Sequence, residues 1–78
     1  MSERDLVEFL VRSLVSEPDA VEVEEVEESG DLVLEVSVGD DDVGRVIGRG
    51  GRIAQALRTV AKAAGAGDER RVIVEVLE

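Results

Sequence analysis

Three glycines fall within four residues at Gly48-Arg49-Gly50-Gly51, between two stretches whose apolar spacing is helical. Such a cluster does not sit inside a helix, where each glycine costs about 1 kcal/mol relative to alanine. It therefore splits the second half of the chain into a short apolar stretch, Val43 to Ile47, and a helix from Arg52 to about Ala64. In that helix Ile53, Leu57, Val60, Ala61 and Ala64 share one face, and Gln55, Arg58, Thr59 and Lys62 the other. Gly65-Ala66-Gly67 stops it. A strand from Arg71 to Leu77 follows, with Val72, Val74 and Val76 alternating with Ile73, Glu75 and Leu77.

The first half opens with a helix over residues 3 to 16. Ser2 is its N-cap, Leu6, Val7, Leu10, Val11, Leu14 and Val15 form its apolar repeat, and Pro18 lies beyond its end. Phe9 widens the apolar arc and is read as the edge of a small core in preference to a partner contact. Two β-rich runs, Val21 to Glu27 and Leu32 to Val38, flank a Ser29-Gly30 turn and predict an antiparallel hairpin. In the second strand Leu32, Leu34, Val36 and Val38 point one way and Val33, Glu35 and Ser37 the other, so one sheet face is fully covered. In the first strand the apolar phase slips between Val23 and Val26, which predicts a bulge or an early strand end. The order is helix-strand-strand-helix-helix-strand, in one domain spanning residues 1–78.

The chain of 78 residues has no cysteine and no histidine, which removes thiol nucleophiles, histidine bases and the usual zinc ligand sets. An enzyme is not expected. Its apolar runs are too short for a membrane span, and its start lacks a secretory pattern, so a soluble, cytoplasmic chain is expected. The net charge of −10 is unevenly spread. Residues 1–42 carry 15 acids and two bases, whereas residues 43–71 carry two acids and the seven bases Arg45, Arg49, Arg52, Arg58, Lys62, Arg70 and Arg71. A positive segment in an acidic chain points to a localised anion site.

The glycine cluster lacks the Gly-Lys-Ser/Thr ending of a phosphate loop, and Ile53 stands where a dinucleotide fingerprint needs its third glycine. The string Val46-Ile47-Gly48-Arg49-Gly50-Gly51-Arg52-Ile53, between two helices and followed by a third strand, instead resembles the KH domain family in its prokaryotic, type II arrangement. The resemblance covers essentially the whole chain, and its length is similar to stand-alone bacterial single-KH proteins of the KhpA type. It implies an α+β fold, with helices packed on one face of a three-stranded sheet. It also implies a loop that clamps about four nucleotides of single-stranded RNA, with Ile47 and Ile53 at or under the apolar groove where bases lie. A role as an RNA chaperone or post-transcriptional regulator belongs to the same resemblance, as does pairing with a second copy or with a larger KH-containing protein.

The loop has its own physical logic. Two glycines bracketing a two-residue turn let backbone approach a bulky partner, and the free N–H groups of the helix beginning near Arg52 point to the same place. Arg45, Arg49 and Arg52 add charge-assisted donors for phosphate. An exposed-aromatic sheet of the RNA-recognition-motif kind is excluded, because Phe9 is the single aromatic and the open sheet face carries Glu35 and, if the first strand keeps its phase, Glu22 and Glu24. Asp40-Asp41-Asp42 is read as capping the short helix and not as a metal cluster. The acidic first strand reads as a solvated edge, a guard against edge pairing or a face for a basic protein. No cofactor or metal is expected. A dimer is expected through the second long helix, on the flank carrying Ala56 and Ala63.

Overall fold

The computed structural model describes residues 2–65 and 70–78. Its elements are α1 (Glu3–Leu14), β1 (Glu22–Glu28), β2 (Asp31–Ser37), α2 (Val43–Ile47), α3 (Arg52–Ala64) and β3 (Val72–Val76), with single 3₁₀ turns at Pro18–Ala20, Asp40–Asp42 and Arg49–Gly51. This is the expected α+β order. The sheet runs β1-β2-β3, with β1 antiparallel and β3 parallel to the central β2. Ala66 and Gly67, part of the expected helix stop, lie outside the described residues; Gly65 closes α3 by donating its N–H to the Ala61 carbonyl.

Local chemistry sets most boundaries. Ser2 accepts the Asp5 N–H at 3.1 Å and so caps α1. Ser29 and Gly30 both take positive φ, 51° and 85°, giving the two-residue turn whose twist suits a hairpin. The core lies between the helices and one sheet face. It joins Val7 and Val11 of α1, Val23 of β1, Leu32, Leu34 and Val36 of β2, Val46 of α2, Leu57 and Ala61 of α3, and Val72 of β3. Arg70 ties the start of β3 to Glu3 at 3.5 Å and Glu27 at 3.3 Å, and Arg71 pairs with Asp31 at 2.9 Å.

Several expectations are corrected. The helix expected over residues 3 to 16 stops at Leu14, because the N–H groups of Ser16 and Glu17 donate to the Asp42 carboxylate instead of continuing the helix. Asp42 therefore does not cap α2. It is 1% exposed, and its oxygens also accept the Ser16 hydroxyl at 3.0 and 3.1 Å. The β1–β2 ladder is unbroken from Glu22↔Ser37 to Glu28↔Asp31, so the phase slip is neither a bulge nor an early end. Val26 faces the opposite side from Val23, against Val33. Phe9 is 60% exposed and Val60 40%, and Ala64 is exposed too, so none of the three belongs to the core.

Candidate nucleic-acid interface

The glycine loop joins the end of α2 to the start of α3. Gly48 ends α2, donating its N–H to the Gly44 carbonyl at 2.9 Å, with φ 76° and ψ 169°. This backbone region is essentially closed to side chains. A Cβ there would also lie 2.7 Å from Ile53 Cγ1 and 2.9 Å from Ile53 N. Gly50 differs: it takes φ 65° and ψ 18°, and a Cβ on it would meet nothing within 4 Å. The loop is thus packed inward at its first glycine and open at its third residue.

The N-terminal N–H groups of α3 have no side-chain cap. Gly51 donates to the Gly48 carbonyl at 3.1 Å, and the Arg52 N–H donates to the Arg49 carbonyl. A helix start without a side-chain cap presents its positive end, which is the electrostatic requirement for holding an anion. Arg45, Arg49 and Arg52 lie in and beside the loop, all exposed. Arg45 leans toward Asp42 at a loose 3.9 Å, and the side chains of Arg49 and Arg52 make no ion pair or hydrogen bond with the described residues. Hydrogen bonds from the Ser16 backbone, reinforced by the Ser16 hydroxyl, the Glu17 N–H and the Arg45 charge, outweigh burial and hold the Asp42 carboxyl below its usual range.

All eight residues singled out in the sequence fall in and beside this loop, but on different surfaces. Arg45, Arg49, Gly50 and Arg52 are exposed on its outer side, while Ile47, Gly48, Gly51 and Ile53 are half-buried. Ile53 packs against the core and, with Arg52, lines an apolar groove of about 300 Å³ between α1 and α3, completed by Leu10, Leu14, Ala56 and Val60. The larger cleft, about 550 Å³, lies on the other flank of α3 against β3, lined by Arg58, Thr59, Lys62, Arg71, Val72 and Ile73. Its basic residues were visible as the polar face of the helix, but its existence depends on where β3 docks. The seven bases of the positive segment therefore divide among tasks. Arg70 and Arg71 bind acids of the fold, Lys62 donates to the Arg70 carbonyl, and the rest face solvent.

An α-β-β-α-α-β chain with a Gly-x-x-Gly turn between two helices, opening on an uncapped helix start, is a KH domain. A family model described as KhpA/KhpB, KH domain, matches residues 4–76, and the chain belongs to that family, which is not an enzyme family. Among similar proteins, the RNA-binding protein KhpA of Caldanaerobacter subterraneus subsp. tengcongensis is 47% identical over 94% of this chain and 97% of its own length. That of Clostridium perfringens is 45% identical over 95% and 99%. The KhpA of Borreliella burgdorferi is 44% identical over 99% of this chain and 94% of its own. No helix among the described residues is long and apolar enough to cross a membrane.

Proposed function

We propose that this chain is a non-catalytic, cytoplasmic RNA-binding protein that clamps about four nucleotides of single-stranded RNA through Gly48 to Arg52 and acts as an RNA chaperone or post-transcriptional regulator. The observation that carries the reading is the start of α3, without a side-chain cap and next to an open Gly50, in a stretch where Arg45, Arg49 and Arg52 are all exposed. Phosphates bind at the positive start of α3 and to the guanidinium groups, and bases lie beside Ile47 and Ile53. The names of the relatives support RNA as the ligand. The test is Arg49→Asp with Gly50→Asp, titrated with short random single-stranded RNA. The open αL position of Gly50 accommodates aspartate at about 1 kcal/mol, so circular dichroism should report an intact fold while binding disappears. A folded double variant that binds like the parent refutes the site.

A second reading, assembly with another copy or with a larger KH-containing protein, is favoured by the exposure of Leu14 and Val60 along the α1–α3 groove, next to exposed Ala56 and Ala63 and near Phe9. Ala56→Glu or Ala63→Glu should shift a dimer to monomer in light scattering with the fold unchanged. A parent that stays monomeric at high micromolar concentration excludes the homodimer.

A further inference from the structure

All three helices pack on one side of the sheet, and the face that remains has an order of its own. Across it, directly opposed residues form rows. Glu24, Glu35 and Glu75 make one, and Val26, Val33 and Ile73 make the next. Beyond them lies Glu28 opposite Asp31. Val33 is only 3% exposed although it lies outside the main core, so the apolar row is a small packed stripe in its own right. The three glutamates have no ion-pair or hydrogen-bond partner among the described residues, and like charges directly opposed in a ladder destabilise it.

We propose that this face docks a cationic amphipathic helix of another protein. The occupant follows from charge and spacing. Neighbouring strands lie about 4.8 Å apart, so three carboxylates in one row span about 10 Å. Two turns of an α-helix rise about 10.8 Å. A helix lying across the strands sets lysines or arginines at i, i+4 and i+7 over Glu24, Glu35 and Glu75, and sets its apolar stripe on the partly exposed Val26 and Ile73 that flank the buried Val33. The face is small, so the complex is weak and salt-sensitive. It lies on the opposite side of the sheet from the RNA loop and is independent of it.

The test uses the full chain and a synthetic 15-residue helical peptide with a leucine stripe flanked by lysines, compared with a scrambled peptide of the same composition and with spermine. At low salt the amphipathic peptide should bind at least tenfold more tightly than the scrambled one, with amide shifts centred on Val26, Val33 and Ile73. The triple variant Glu24→Gln, Glu35→Gln, Glu75→Gln should lose at least tenfold in affinity while melting about 4 °C or more above the parent, since it relieves the repulsion. The Arg49→Asp, Gly50→Asp variant should bind the peptide at least as well as the parent. Equal binding of the scrambled peptide or spermine would reduce the effect to counter-ion attraction by an acidic chain and overturn the proposal. So would shifts on the helical side, or a triple variant no more stable than the parent.

Discussion

Replacing Gly48 by alanine tests whether the loop is held by packing as well as by backbone freedom. The new Cβ would stand 2.7 Å from Ile53 Cγ1 and 2.9 Å from Ile53 N, and the second of these atoms belongs to the backbone of α3 and cannot rotate away. Holding a side chain at φ 76°, ψ 169° costs about 1–3 kcal/mol, and the collision adds about 1–3 kcal/mol as an overpacked site. The expected loss is about 2–6 kcal/mol. A domain of 78 residues has about 4–12 kcal/mol in total, so the variant should be marginal at 25 °C. Gly50→Ala is the control, with a positive φ but open space, and should cost about 1–2 kcal/mol. Urea titrations followed by circular dichroism measure both. Equal midpoints for the two variants would refute the claim that Gly48 is packed on Ile53.

Asp42→Asn should lower the melting temperature at pH 7, because a carboxylate accepting from Ser16 and Glu17 becomes an amide with fewer acceptor sites. Its carboxyl is held below the ordinary value of 3.8, so its contribution is complete above that pH and fades as pH falls through the lowered value. Melts from pH 7 to 2.5 should show the parent–variant gap constant down to about pH 5 and closing below about pH 4. Ser29→Asn should stabilise the hairpin by about 0.5 kcal/mol, since asparagine tolerates the φ of 51° better than serine; an unchanged urea midpoint contradicts it. Neutralising three or four phosphates predicts a log–log salt slope of about −2 to −3 for single-stranded RNA, with duplex RNA a poor competitor; equal competition by duplex points to a general electrostatic surface.

The parts of the fold readable in the sequence are those punctuated locally. Val43–Ile47 and Arg52–Ala64 keep the expected bounds because the glycines between them leave no other division. The end of α1 was hidden because its competitor, Asp42, lies 26 residues beyond Ser16 in the chain. Val60 and Ala64 look like core in the helical repeat, yet α3 buries only Leu57 and Ala61 fully, a narrower stripe than the repeat supplies. Val26 looked like a slipped register because strand reading assumes one apolar face, whereas Val33 gives it a partner on the other. The loop residues were legible as a motif. That Ile53 lies beneath Gly48, and that Arg58 and Lys62 meet β3 across a cleft, depends on tertiary docking that no local pattern carries.

The parallel pairing of β2 with β3 also orders events in time. Each of its pairs joins residues 40 apart in the chain, as Leu32 with Val72. The β1–β2 hairpin, in contrast, closes over two residues and can form within about 1–10 μs. Closing the longer ring costs about 3 kcal/mol of chain entropy beyond a constant, and α2, the glycine loop and α3 all lie inside it. Helices of five and 13 residues are marginal before they dock. The glycine loop thus takes shape only when the last strand seats, and it loosens when that strand lifts. Hydrogen exchange at the amides of α3 should therefore follow that of β3, and outpace that of the hairpin.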